Sequence, residues 1–448
     1  MIRSGRHDAV AIWRAAVAAV DSEHLVRTCL SVDGQSLRIR NQQIPLTNVG
    51  HIEVIGAGKA GAGMARSIEQ AFIDLPATID WSGWINVPND CVDQLDRIIL
   101  HGARPAGVNE PTQDGVDGTV EILRRVSRLK TNDLCLALLS GGGSALLPAP
   151  VSGVSLADKL AVTRLLASSG ASIQELNVVR SRISAVKAGG LARACSAARL
   201  VTLIISDVIG DPLDIIASGP TCPSEANEFG HPLKVLRRFD PGLRRTPRSV
   251  VEALGTPVEY DALRCQVQNH VIGNNQLALE AAAVAARDLD YDVESWGSEN
   301  AGTAFDLGRR LLARLQEIRQ VVSTTQRAKC LLAGGETTVQ LCDQSLRGKG
   351  GRNQEVVLSA IAERPQPELW QGVTLLSGGT DGEDGPTPSA GALADEALVA
   401  AVRQRGIIPN DYLRINNAWP FFDQLGGLLN TGATHTNVMD VQVGLVHP

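Results

Sequence analysis

Two kinds of loop in this chain hold residues able to do chemistry, and both follow short apolar runs. One kind is rich in glycine. The run 51–55 ends in Gly56-Ala57-Gly58-Lys59-Ala60-Gly61, and Leu136–Leu139 ends in Ser140-Gly141-Gly142-Gly143-Ser144. The other kind adds acids and amides. The run 201–205 ends in Ser206-Asp207-Val208-Ile209-Gly210-Asp211, and 331–333 ends in Gly334-Gly335-Glu336-Thr337. The run 373–376 ends in Ser377-Gly378-Gly379-Thr380-Asp381-Gly382-Glu383-Asp384-Gly385. Glycine lets backbone N–H groups close on phosphate oxygens, and carboxylates hold a hard cation. Together the loops predict an enzyme that handles a phosphorylated ligand with Mg²⁺.

Each motif also has a plainer reading. Gly56-x-Gly58-x-x-Gly61 has the form of the dinucleotide fingerprint, after a strand and before a helix. That fingerprint wants an acid at the end of the next strand, to hold a ribose hydroxyl. Here the next strand ends Asn86-Val87-Pro88, and Asp80 precedes it. Lys59 suits an anion better, as a point charge at a helix start. The plainer reading is a tight turn with a solvated lysine. Gly348-Lys349-Gly350-Gly351-Arg352-Asn353-Gln354-Glu355 sets glycines, two cations and two amides before a helix. It is expected to bind something anionic, with Arg352 as a fork donor. Asp381, Glu383 and Asp384 crowd three acids together, which calls for a cation unless the turn is simply solvated. Asp207 and Asp211 can serve a Mg²⁺ water, a substrate hydroxyl or a helix cap. In Thr431–Asn437, His435 is an acid/base candidate or a structural histidine. The P-loop pattern G-x-x-x-x-G-K-[ST], the kinase H-R-D and D-F-G set and G-x-S-x-G are all missing.

The elements that must position these loops alternate. Helices are expected over 7–30, from 61 to about 73, within 110–129, over 156–168, and over 175–197 with an interruption at 187–190. Strands are expected at 51–55, 84–87, 97–100, 134–139 and 200–205. This predicts a parallel, doubly wound sheet. A stretch from 220 to 258 carries Pro232, Pro241, Pro247 and Pro257 and is the candidate boundary. Further strands are expected near 270–273, 329–333, 373–376 and 440–446. The fold class is therefore α/β in two domains. Residues 1–258 form a Rossmann-like domain, and residues 259–448 form a smaller α/β domain. A length of 448 residues exceeds one typical core. A net charge of −6 argues against a nucleic-acid partner. No apolar stretch is long enough for a membrane span. Eight scattered cysteines without a C-x-x-C pair fit reduced thiols and a cytoplasmic location. Only seven residues are lysine, which makes Lys59, Lys187 and Lys349, each beside a glycine, conspicuous.

Read as a set, these segments resemble the class of D-glycerate 2-kinases with a MOFRL C-terminal domain. The resemblance runs from Ala9-Val10-Ala11-Ile12-Trp13-Arg14 to Asn437-Val438-Met439-Asp440. It rests on Gly56–Ala60, Leu139–Ala145, Leu176–Arg180, Ser206–Val208 with Asp211-Pro212, Ala217–Thr221, Gly334–Thr338, Gly351–Glu355 and Gly379–Gly382. The chain departs from the class around Arg104–Glu110. The resemblance implies an active site in an interdomain cleft, with ATP, Mg²⁺ and D-glycerate as ligands and 2-phosphoglycerate as product. Lys59, Arg352, Asp207 and Asp381 are the candidate catalytic residues. Gly56, Gly58, Ser140, Gly141, Gly142, Gly143, Ser144, Asn177, Arg180, Lys187, Asn353, Thr380 and Asn437 are candidate nucleotide- or substrate-binding residues. Asp207, Glu336, Asp381 and Asp384 are candidate Mg²⁺ ligands. Lys59→Ala and Arg352→Ala are each expected to collapse turnover with the fold intact. The alternatives are an NAD(P)H-dependent hydroxypyruvate reductase and a non-catalytic sensor. Oligomeric state is open, a homodimer being one candidate.

Overall fold

The computed structural model describes residues 5–105, 107–108, 110–223, 231–257 and 262–448. They form two compact units. One is built from Ser22–Ser206 and Asp211–Ile272, the other from Met1–Asp21, Asp207–Gly210 and Gly273–Pro448.

In the unit containing Ser22–Ser206, an antiparallel meander of β1 (Leu30–Asp33), β2 (Ser36–Ile39) and β3 (Gln42–Pro45) precedes the main sheet. That sheet holds β4 (His51–Ala57), β5 (Asp80–Pro88), β6 (Ile98–Arg104), β7 (Leu134–Leu139), β8 (Arg199–Ile205) and β9 (Gln266–Gly273). The strands lie in the order β6-β5-β4-β7-β8-β9. The pairs β5–β6, β4–β5, β4–β7 and β7–β8 are parallel. All six residues of β7 are buried, as an unbroken apolar run in a two-faced parallel strand must be. Counted from β4, the order is 3-2-1-4-5-6, that of a Rossmann sheet, and it reverses between β4 and β7. Open α/β sheets bind ligands outside the carboxyl ends of the strands at this switch. Both glycine loops leave the sheet there.

The expected helix over 175–197 is two helices. Ile173–Arg182 starts on a capping box of Ser172 and Glu175, and a short helix follows at Gly190–Ala194. The chain between them turns through Ala188 and Gly189, with φ of 49° and 79°. The helix Leu156–Ser168 starts on a second capping box, Ser155 with Asp158.

The other unit carries β10 (Asp292–Ser295), β11 (Lys329–Gly335), β12 (Val373–Gly379), β13 (Gly391–Asp395), β14 (Leu428–Leu429) and β15 (Asp440–Val446), in the order β10-β11-β15-β12-β13-β14. The strand β15 is antiparallel to both β11 and β12. Those two strands therefore run the same way and end together. Gly335 and Gly379 are both in register with Asp440, the first residue of β15. The expected helix over 7–30 breaks after Ala19. Its first part, Gly5–Ala19, buries Ala9, Ile12, Trp13 and Ala16 within this unit. Its second part, Ser22–Cys29, belongs to the unit containing β4. No helix among the described residues is long and apolar enough to cross a membrane.

Candidate functional site

The two glycine loops at the β4–β7 switch are stitched together. The Ser140 amide donates to Ala57 O, the Lys59 amide to Gly141 O, and the Ala60 amide to Ser140 Oγ at 3.0 Å. The Gly58 amide donates to Asn86 O and the Gly61 amide to Gly58 O. All four amides from Gly58 to Gly61 are thus taken inside the protein. Gly56 and Gly58 are needed for close approach. A Cβ on Gly56 would lie 2.3 Å from Leu138 O, and one on Gly58, where φ is +150°, would lie 1.9 Å from Ser140 Oγ. The first loop therefore offers an anion its Lys59 side chain rather than a backbone cradle.

The second loop does the reverse. Among the described residues, the amides of Gly141, Gly142 and Ser144 have no acceptor. Successive N–H groups of this kind form an anion-binding concavity. Arg104 lies against it: a Cβ on Gly142 would meet Arg104 Nη2 at 3.1 Å and Lys59 Cγ at 3.6 Å. Sequence reasoning missed Arg104, which is only 2% exposed at the carboxyl end of β6. Its signal was the departure from the class pattern at that position. In the same stretch Ala106 and Asn109 lie outside the described residues.

Ser144 leads from this concavity to a buried basic cluster. Its Oγ lies 2.7 Å from Ser218 Oγ, which accepts a hydrogen bond from Lys187 Nζ at 2.6 Å. The segment Ala217-Ser218-Gly219 is left-handed throughout, with φ of 50°, 65° and 59°. Its geometry is fixed by the Ala188 and Gly189 amides, which donate to Ser218 O and Gly219 O. Non-glycine residues in this region cost about 1–2 kcal/mol each and persist where the surroundings over-determine them. Burial, then Arg180 and Lys159, pushes the Lys187 ammonium well below its ordinary pKa. Among the described residues Arg180 itself reaches only Asn177, at 3.4 Å.

In the other unit, the glycine-cation loop and the acidic loop answer each other. The amides of Asn353 and Gln354, opening the helix Arg352–Glu363, donate to the two oxygens of Asp384 at 3.0 and 2.8 Å. The anion expected at 348–355 is thus the protein's own carboxylate. Burial lifts the Asp384 carboxyl to a pKa of about 7. Arg352 forks onto Asp440 at 2.6 and 3.0 Å and reaches Glu336 at 2.6 Å. Lys349 stacks 4.3 Å over the Trp419 ring. Asn353 is 1% exposed; it donates to Asp440 and accepts from Ser377 Oγ. The Thr380 hydroxyl donates to Met439 O and accepts from the Val438 amide. Asn437 accepts from the Met439 amide. These groups hold the ends of β11, β12 and β15 together. His435 is exposed on a turn with φ of 57°. Asp440, the first residue of β15, was also missed, since no local motif marks it as the partner of Arg352.

The comparisons with known proteins agree with this architecture. Residues 8–255 match a domain family of unknown function (DUF4147), and residues 329–440 match the MOFRL family. The chain is 37% identical to a glycerate kinase of Danio rerio, over 98% of this chain and 97% of that one. It is 33% identical to a D-glycerate 2-kinase of Thermotoga maritima, over 95% and 99%. The crystal structure of a Thermotoga maritima glycerate kinase matches with a TM-score of 0.81 at 32% identity, over 98% of this chain and 99% of that one. The chain belongs to the glycerate kinase family.

A kinase of this family handles nucleotide phosphates, so the metal candidates need a test of fit. Among the described residues no three His, Cys, Asp or Glu side chains are grouped so as to hold a metal ion. Mg²⁺ does not require such a cage, since it commonly binds through one or two carboxylates, waters and substrate phosphates. Asp384 already caps a helix. The Glu336 carboxyl is raised by the protein around it and by Asp440 and Asp381, with Arg352 opposing, although nearly half of its side chain reaches solvent. Glu336 and Asp381 therefore fit as a partial site that a ligand would complete. Asp207 belongs to this same unit, whereas Asp211, with φ of 55°, belongs to the other.

Proposed function

We propose that this protein is a D-glycerate 2-kinase, transferring the γ-phosphoryl group of ATP to the 2-hydroxyl of D-glycerate. The observation that carries this reading is the concavity of acceptor-free amides at Gly141, Gly142 and Ser144, beside Lys59, at the switch point of a Rossmann-ordered sheet. It suits phosphate oxygens, and the curated relatives named glycerate kinase supply the acceptor.

Phosphoryl transfer asks for in-line positioning and charge neutralisation more than covalent chemistry. In this reading the amides of Gly141, Gly142 and Ser144, with Lys59, hold phosphate oxygens. Arg352 has N–H groups left over from Asp440 and Glu336 for the moving group. Asp207 and Asp381 are the candidates for base or metal ligand, with Glu336 as a second acid. Mg²⁺, if held by these carboxylates, would supply positive charge that offsets the charge of the phosphates. Asn353 and Asp384 act as positioning residues. The eight free cysteines support a reducing, cytoplasmic setting.

The reductase alternative loses support at the same switch. The amides of Gly58–Gly61 are consumed, and the end of β5 presents Asn86, buried and donating to Leu146 O, where a ribose acid would stand. A phosphorus NMR time course with MgATP and D-glycerate tests the proposal. Matched growth of 2-phosphoglycerate and ADP is the expected outcome. A 3-phosphoglycerate signal would keep the kinase and sink the regiochemistry. Unchanged ATP alongside NADH oxidation by hydroxypyruvate would reinstate the reductase.

A further inference from the structure

Lys159 was not among the residues singled out by motif. It sits in the helix Leu156–Ser168 and is 4% exposed, and among the described residues its Nζ has no hydrogen-bond partner. Its electrostatic neighbours are Arg180 and Lys187, both of the same sign. Among the described residues none of these three side chains has a carboxylate within ion-pair distance. An isolated ammonium taken out of water costs several kcal/mol, so buried cations are ordinarily paired. Here three share one site with only Asn177 Oδ1 and Ser218 Oγ as acceptors. The cluster lacks an anion that the described protein does not supply.

We propose that Lys159, Arg180 and Lys187 form the seat of the carboxylate of a small 2-hydroxy acid. This rests on the kinase reading for the identity of the acid. Two features favour a carboxylate over the nucleotide's phosphates. The phosphate-type cradle of acceptor-free amides is a separate feature, at 141–144. The cluster adjoins that cradle through a single relay, Ser144 to Ser218 to Lys187, and a 2-hydroxy acid carries its carboxylate one carbon from the hydroxyl to be phosphorylated. Lys159 is then a specificity residue. It distinguishes an acid from a neutral polyol such as glycerol, because only the acid offsets the buried charge.

Calorimetric titration of the whole protein tests this, using D-glycerate, D-lactate, glycerol and a non-hydrolysable MgATP analogue, the acids with and without the analogue present. Wild type is expected to bind the two acids and not glycerol. Lys159→Met is expected to lose about 30-fold or more in affinity for the acids, as truncating one partner of a buried charge pair does. Its affinity for the nucleotide analogue should stay within about twofold, a change too small to mark a lost charge contact. Its ligand-free melting temperature should hold or rise, since an uncompensated charge is removed. A merely structural lysine would instead lower it. A second readout needs no variant. Burial, with Arg180, holds Lys159 near a pKa of about 8 without ligand. An anion favours the protonated form, so binding takes up protons, and acid affinity should fall as pH rises above about 8. Loss of nucleotide binding with acid binding spared in Lys159→Met would reassign the cluster to phosphate. Unchanged acid binding in the variant, or no binding of either acid by wild type, would overturn the proposal. Acid binding by wild type without ATP turnover would leave the seat standing and remove the kinase reading.

Discussion

Arg352 braces its unit, and the proposed function gives it a second role, at the moving phosphoryl group. Its fork closes on Asp440, which is 1% exposed, and on Glu336. Removing one member of a buried ion pair strands the other, at a cost of about 3–5 kcal/mol. The expectation that Arg352→Ala spares the fold therefore gives way: that variant should melt well below wild type. Arg352→Lys separates the two roles. It keeps the charge near Asp440 but loses the planar, multidentate geometry. If Arg352 faces the moving phosphoryl group, Arg352→Lys should fold and lose on the order of 10²–10³ in kcat, the usual cost of a misplaced transition-state charge. Near-wild-type turnover by Arg352→Lys, beside an unstable Arg352→Ala, would reduce Arg352 to a brace. The fork donor was legible in the sequence, because arginine beside three glycines at a helix start has few structural uses. Its partner was not, because Asp440 is 88 residues away and meets it only through the register of β15 with β11 and β12.

At the scale of elements, the two glycine loops look alike in sequence and differ in use. Both end buried parallel strands at the switch point, and this much followed from apolar runs stopped by glycine. Which loop's amides lack an acceptor among the described residues depends on a cross-loop pattern that no local motif encodes: Ala60 N–H to Ser140 Oγ, and Lys59 N–H to Gly141 O. The same blindness made the 348–355 loop look as though it awaited an anion, when Asp384 from the acidic loop already fills the helix start. In Gly58→Ala, a methyl 1.9 Å from Ser140 Oγ and 2.8 Å from Ser140 N cannot be housed without parting the loops. A loss of roughly 2–3 kcal/mol of stability, seen as a lowered melting temperature, with nucleotide affinity lost in step, is expected. A variant as stable as wild type would show that the stitch is not what sets the loop geometry.

At the scale of the molecule, the chain passes between its units four times, so neither unit is a continuous segment. The alternation of strands and helices made the two α/β units legible. The docking of the first helix was not, because its partner lies at the far end of the sequence. The Trp13 indole N–H donates to Gly378 O at 3.1 Å across 365 positions, and the Tyr291 hydroxyl bonds Asp8 and lies 2.9 Å from His447 Nε2. Ile12 and Trp13 are 0% and 1% exposed. Each fully buried side chain of this size contributes about 1.5–3 kcal/mol, against a total stability of roughly 5–15 kcal/mol for a domain. A fragment running from Gly273 to Pro448 lacks that helix and uncovers the apolar surface beneath it. It should bind a hydrophobic dye, lose near-ultraviolet dichroism and unfold without a cooperative transition. Joining residues 1–21 to its N-terminus through a flexible linker should restore a cooperative melt. A Gly273–Pro448 fragment that already melts cooperatively, at the temperature of the linked form, would show that the helix covers this sheet without stabilising it.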